Sequence, residues 1–476
     1  MTTEHAPVSG LKALLLALLC PLTAHSASLT TPEVPTYAAA ACCTLCPRAS
    51  DPKAYVTQFL RDHQVLLQGR DDWLFHSKVE LEANFPIEPQ VLGDLGRLTR
   101  ALKARGIDML LLETPPRGLM HYAELQPGDQ ARFDYPRALA TFRKDLETLR
   151  RAGFVVPDYG LLIEQKDPDD FYYHRDVHWT PEGARRTANL IADTVKKLPV
   201  YAKLKPQAFT TRQAGTSRQA GVLSLAASQL CGGHYPWEVS PTFVTEALDV
   251  DPFADVPPPE VVIVGTSFSG TPDYNFADFL QQSLQTVVQN VAISGGGPDG
   301  SLAQYLTSET FQKTPPKLLI WELSRLQISN LSPGVMRRLL SLIGNGCASQ
   351  PVLLEAKVDI PAGDDFTDVL FNGGHRMVME KSEDLLVDLQ FADAAVGEFL
   401  TEVWYLDGKH EVLRVRLNDF TRTGGRFVLE MNHAPDFAKQ PVIAVRLQMV
   451  SPLVKPTSVK AQLCRARPAL STSASR

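Results

Sequence analysis

Asp176 and His178 stand two residues apart in the stretch Tyr173-His174-Arg175-Asp176-Val177-His178-Trp179-Thr180-Pro181. In an extended segment, side chains at that spacing project from the same side. A carboxylate so placed can hold the imidazole Nδ1–H and leave Nε2 free as a base. A base of this kind needs a nucleophile. Val264-Gly265-Thr266-Ser267-Phe268-Ser269-Gly270 supplies serines where an apolar strand turns toward a helix. In an open α/β sheet, ligands and active sites gather at such turns. Ser267 is the expected nucleophile, with Ser269 as the competitor, and the chemistry is acyl transfer through a serine.

Three further features can complete such a site. Ser294-Gly295-Gly296-Gly297 follows an apolar stretch ending at Ile293, and glycines at Gly295 and Gly296 let a backbone N–H approach an oxyanion closely. Arg117, in Thr114-Pro115-Pro116-Arg117-Gly118, follows another apolar run and is expected to face the same crevice. Tyr274 is a weaker orienting candidate. For the first two, the plain alternatives are a glycine turn and a solvated arginine.

These residues need a scaffold, and its rhythm is visible. Leu92, Leu95, Leu98 and Leu102 recur at helical spacing and stop at Gly106, ahead of the apolar run Met109-Leu110-Leu111-Leu112. A helix over roughly 138–151 ends at Gly153, before Phe154-Val155-Val156. Thr180 as N-cap and Pro181 at the first helical position open another helix, running to about Lys197. Val261-Val262-Ile263-Val264 reads as a strand buried on both faces, and strands over Val287 to Ile293 and Leu318 to Trp321 follow. Residues from about 60 to 340 are therefore expected to form an α/β sheet with helices on both faces.

Beyond Cys347, the stretches Leu385 to Phe391, Val412 to Leu417, Arg426 to Met431 and Val442 to Val450 alternate apolar and polar residues between turn-forming residues. An all-β sandwich is expected. Residues 346–400 carry 11 acidic against 3 basic side chains, and residues 401–476 carry 6 against 12. The plain reading is two solvated faces. The alternative is a groove for an acidic polymer around Arg414 and Arg416, with Trp404 and Tyr405 stacking on sugar rings.

The chain has 476 residues, 44% hydrophobic and 21% charged, with a formal net charge of −6. That length calls for two or three domains, and that charge disfavours a nucleic-acid partner. Leu11 to Leu22 is an apolar run too short to cross a hydrocarbon core of about 30 Å. It reads as the core of a signal peptide over 1–26, cleaved after Ala24-His25-Ser26. Lipidation at Cys20 is disfavoured by the bulky Leu19. Six cysteines remain after cleavage: Cys42, Cys43, Cys46, Cys231, Cys347 and Cys464. Zinc at the Cys43/Cys46 spacing would need two more ligands nearby, so disulfides are preferred. The most economical pairing joins Cys347 to Cys464, and Cys231 to one of Cys42, Cys43 or Cys46. Neither a metal nor a cofactor is called for.

Together, DVHWTPEG, the later VGTSFSG, the GRDDWLF entry at residues 69–75 and the all-β tail resemble the periplasmic alginate O-acetyltransferases. The resemblance covers nearly the whole chain after the signal. It implies a three-layer, SGNH-hydrolase-like domain over 27–345 and a β-sandwich carbohydrate-binding module over 346–476. By motif, it implies Asp176, His178 and Ser267 as a triad that moves acetyl groups onto mannuronate. The Asp-x-His motif precedes the serine, whereas ordinary SGNH enzymes have the reverse order, so the motifs look circularly permuted. The implied partners are alginate (polymannuronate), an acetyl-donor protein, and periplasmic and outer-membrane components of the alginate export complex. Two rivals stay open: a secreted carbohydrate esterase using the same triad, and a non-catalytic polymer-binding scaffold.

Overall fold

The computed structural model describes residues 43–165, 170–249, 258–361, 365–373, 377–450 and 456–466. The expected signal segment, Cys20 and Cys42 lie outside the described residues. Among the described residues, no helix is long and apolar enough to cross a membrane.

The first part of the chain runs through a short hairpin of β1 (Leu66–Gln68) and β2 (Leu74–His76), then α1 (Pro89–Ala104), β3 (Asp108–Thr114), α2 (Tyr135–Arg151) and α3 (Pro181–Val195). A long hairpin of β4 (Phe209–Gln219) and β5 (Glu238–Ala247) brackets α4 (Val222–Cys231). Next come β6 (Val261–Val264), α5 (Phe276–Leu284), β7 (Val288–Asn290), α6 (Gly300–Thr307), β8 (Leu318–Ser324) and α7 (Pro333–Ile343).

The apolar runs become a parallel sheet in the order β3-β8-β6-β7. All four side chains of β6 are fully buried, as a strand covered on both faces requires. Leu95, Leu98 and Leu102 of α1 lie in the core as their spacing predicts, whereas Leu92 is only half-buried and Val91 takes its place there. The Thr180 hydroxyl caps α3 by accepting the Gly183 N–H at 3.1 Å. The expected strand at Phe154-Val155-Val156 shrinks to one bridge between Val155 and Leu110, and the strand expected over Val287 to Ile293 is confined to β7. Because all four strands run parallel, the turns that leave β3, β6, β7 and β8 gather at one end of the sheet. In a sheet of this kind, that end is where a crevice forms.

The remainder is an antiparallel sandwich. β9 (Val352–Ile360), β11 (Leu385–Phe391), β14 (Arg426–Glu430) and β16 (Thr457–Arg465) form one sheet, in the order β14-β11-β16-β9. The other contains β10 (Thr367–Phe371), β12 (Glu398–Tyr405), β13 (His410–Arg416) and β15 (Val442–Met449), in the order β10-β15-β12-β13. Phe391, Phe399 and Phe427 meet between them with ring centroids 4.9 to 5.8 Å apart.

Disulfides join Cys347 to Cys464 and Cys46 to Cys231. Cys43 keeps a free, exposed thiol, so Cys43 and Cys46 do not act as a ligand pair.

Candidate active site

The segment that carries Asp176 and His178 is a tight excursion closed by backbone bonds. Tyr172 bridges Trp179, and the Tyr173 N–H donates to His178 O at 3.2 Å. The Asp176 carboxylate is held from three sides. Its Oδ1 accepts the His178 Nδ1–H at 2.5 Å and the His178 backbone N–H at 2.8 Å, and its Oδ2 accepts the Val222 N–H at 2.8 Å. Burial pushes this carboxyl up, but the His178 imidazole and those N–H donors outweigh it, so it lies below the usual carboxylate range. On the far side of the ring, His178 Nε2 is 2.7 Å from Ser267 Oγ.

Ser267 opens the turn after β6. Ser269, its competitor, is buried and does not line the cavity. The turn is anchored from below by Glu322 of β8, a fully buried carboxylate that accepts the Thr266 N–H at 2.7 Å and the Thr266 hydroxyl at 3.1 Å. A Cβ at Gly265 would stand 2.6 Å from Glu322 Oε2, so only glycine lets strand and carboxylate approach this closely. Burial lifts the Glu322 carboxyl above its ordinary value, and the donors from Thr266 and Ser269 partly oppose this. Sequence reasoning missed Glu322. Its signal was a lone acid inside the apolar run Leu318-Leu319-Ile320-Trp321-Glu322-Leu323, since a buried carboxylate there must have donors.

Ser267 and His178 face a cavity of about 500 Å³, which is also lined by Arg117, Gly295, Gly297 and Arg325 from the turns after β3, β7 and β8. Arg117 is buried, and its charge serves the scaffold. One guanidinium nitrogen bonds Leu74 O at 2.6 Å and Glu80 at 3.0 Å, and the other bonds Tyr173 O at 2.7 Å and His174 O at 2.6 Å. It therefore ties β2 to the loop that carries the histidine.

Gly295 and Gly297 have φ of +76° and +66° and line the cavity, but the Gly296 N–H is spent on Ile293 O at 2.9 Å. The sandwich reaches this turn. Asn418 donates to Gly296 O, and the exposed Phe420 ring lies where a side chain at Gly295 would begin, 2.7 Å from an ideal Cβ. Tyr274 packs its ring 5.5 Å from that of His178 and is buried behind it, outside the cavity lining.

Trp404, Arg414 and Arg416 share the outward face of β12 and β13, far in sequence from Asp176, His178 and Ser267. Glu398 of β12 neutralises much of that face. It lies 2.6 Å from Arg414 and 3.9 Å from Arg416, while Trp404 stacks on His410 at 4.4 Å.

A family described as an SGNH hydrolase-like domain, acetyltransferase AlgX, matches residues 66–325, and one described as a C-terminal carbohydrate-binding module matches residues 346–475. The chain is 36% identical over 437 residues to the alginate biosynthesis protein AlgX of Pseudomonas syringae pv. tomato, covering 91% of this chain and 90% of that one. It is 35% identical over 469 residues to the protein of the same name from Azotobacter vinelandii, covering 98% and 97%. A solved structure described as the structural and functional characterization of Pseudomonas aeruginosa AlgX superposes with a TM-score of 0.80 at 33% identity, over 89% of this chain and 99% of that one. Likeness of this extent, over a parallel-sheet domain and a sandwich joined in the same order, means that the chain belongs to the AlgX family of acetyltransferases of alginate biosynthesis.

Proposed function

We propose that the protein acetylates mannuronate residues of alginate in the periplasm, through an acetyl group carried on Ser267. The observation that supports this most strongly is the continuous relay from Asp176 through His178 to a serine hydroxyl that opens into the cavity. In the first half-reaction, Ser267 Oγ attacks the donor's acetyl carbonyl and its proton passes to His178 Nε2. The leaving group departs with that proton. In the second half, a mannuronate hydroxyl oxygen attacks the acetyl-serine, its proton passes to His178, and Ser267 Oγ leaves and recovers it. Asp176 stabilises the imidazolium in both halves, and backbone N–H groups near Ser267, with that of Gly295 or Gly297, receive the oxyanion.

Transfer requires the polymer to outcompete water, and an attached carbohydrate-binding module raises the local concentration of acceptor. Acetyl-CoA is a cytoplasmic metabolite, so the acetyl group arrives from a donor protein, within a complex that exports the polymer. The two disulfides fit an oxidising compartment.

The test is acetyl transfer from a chromogenic acetyl ester to oligomannuronate, read by mass spectrometry for wild type and Ser267→Ala. Acetylated oligomer from wild type alone is the expected result. Free acetate alone from wild type favours an esterase. Equal product from both proteins removes Ser267 from the mechanism.

A further inference from the structure

Part of the cavity wall comes from the start of the described chain. His63 follows the short helical turn Gln58–Asp62 and lines the same cavity as Ser267 and His178. Its Nδ1 lies 2.7 Å from Phe59 O. A carbonyl can only accept, so the ring proton sits on Nδ1 and Nε2 keeps its lone pair. Burial lowers the affinity of this ring for a second proton, ahead of the opposing Phe59 bond, so Nε2 remains an acceptor at neutral pH. Among the described residues, Nε2 has no hydrogen-bond partner, and the Asp176–His178–Ser267 relay does not use it. Much of the remaining wall is apolar, with Val79, Phe85, Pro115, Val177, Val222 and Phe268, and of the two carboxylates that line it, Asp62 accepts the Gln58 amide at 2.7 Å and Glu80 is held by Arg117 at 3.0 Å.

A uronate acceptor brings a demand that water does not. Where the sugar carries two neighbouring free hydroxyls, one loses its proton to His178 as it attacks, and the other must find an acceptor inside a mostly apolar cavity. An unpaired hydroxyl there is costly.

We infer that His63 Nε2 accepts a hydrogen bond from the sugar hydroxyl adjacent to the one being acetylated. His63 is then a substrate-contacting residue of the second half-reaction that selects sugar over water. No proton transfers to it. The inference rests on the acetyl-serine reading above and names the acceptor contact within that same site.

The test uses the full chain, with a chromogenic acetyl ester as donor and oligomannuronate as acceptor. Polymer-bound acetyl and free acetate are quantified together, and the acetyl-enzyme burst is followed without acceptor. His63→Phe keeps an aromatic ring but has no acceptor atom, whereas His63→Gln offers an amide oxygen. For His63→Phe, the ratio of transfer to hydrolysis falls about tenfold to a hundredfold. The KM for oligomannuronate rises, the acylation burst falls far less than transfer, and His63→Gln recovers part of the ratio. An unchanged ratio in His63→Phe, with wild type acetylating the oligomer, overturns this inference alone. Loss of the burst in step with transfer also overturns it, because His63 then belongs to the scaffold or the donor step. Wild type that yields only free acetate in the presence of oligomer overturns both readings.

Discussion

The Nη2 of Arg97 reaches both carboxylate oxygens of Glu430 at 2.9 Å, joining residues 333 apart in sequence across the seam between α1 and the sandwich. Its Nη1 holds Asp94 at 3.0 Å, and Arg337 Nε donates to Glu430 O at 2.8 Å. Burial pushes the Glu430 carboxyl up to about 7 against the pull of Arg97. Arg97→Ala strands two buried carboxylates and is expected to destabilise the protein by about 3–5 kcal/mol. Glu430→Gln removes the charge that needs a partner and costs less. Urea unfolding of both variants checks the ranking, and a costlier Glu430→Gln would contradict it.

Asp176→Asn retains the shape of the carboxylate but cannot stabilise an imidazolium. Acetyl transfer is expected to fall by roughly 10⁴ in kcat, as when a triad carboxylate is neutralised. The melting temperature should move far less than the rate. Full activity in this variant would remove the Asp176–His178 bond from the mechanism.

Glu113, buried at the end of β3, has Arg325 at 3.7 Å. Burial lifts its carboxyl to about 7, with Arg325 pulling it down and Asp145 pushing it up. The native state therefore binds this proton more tightly than the unfolded chain does. Stability from this group is complete below the unfolded value of 4.5 and is lost as pH rises through about 7. Glu113→Gln should gain on wild type across that window, by up to about 3 kcal/mol, and level off above it. Parallel stability curves for the two proteins from pH 5 to pH 8 would count against this account.

The Cys347–Cys464 bond spans 117 residues and pins β16 to the start of the sandwich. Replacing the pair with alanine is expected to cost about 2–5 kcal/mol. Cys43→Ser, at an exposed free thiol, should leave the melting temperature within scatter. Calorimetry of the two variants checks both, and an unchanged melting temperature without the Cys347–Cys464 bond would deny that bridge a structural role.

If the outward face of β12 and β13 receives polymer, Glu398 competes with it for Arg414 and Arg416. Glu398→Gln should tighten oligomannuronate binding severalfold at low salt and lose that gain as salt screens the contact. Arg414→Ala should weaken binding. Titration calorimetry at two ionic strengths reads both effects, and weaker binding by Glu398→Gln would mean that the ion pairs themselves shape the site.

The relay was legible because its parts are local. Asp176 and His178 share one short excursion, Thr180 and Pro181 announce the helix behind it, and Ser267 opens the turn after the most apolar strand. Strand β6 was legible for the same reason, whereas Val155 lies at the sheet edge and makes only one bridge. The β4–β5 hairpin is rich in Thr, Gln, Arg and Ser and shows no apolar alternation, so nothing marked it. What escaped depends on neighbours distant in sequence. Arg117 reads as a free cation until Glu80 and three carbonyls are seen around it. Gly296 is the local exception, since its N–H closes a turn on Ile293 O only three residues back. Arg414 and Arg416 read as a basic stripe until Glu398 is seen between them. Glu322 acts on a strand that is its neighbour only through the crossover order of the sheet.

The Phe420 ring occupies the space beside Gly295. The two halves of this chain are therefore not interchangeable parts. A chimaera that takes its sandwich from a relative must bring a loop that leaves the turn after β7 undisturbed, and a side chain introduced at 295 would meet the ring at 420 as well as the strain of a positive φ. The turn after β7 in one half and the loop carrying Phe420 in the other therefore share one small space, which glycine at 295 leaves open.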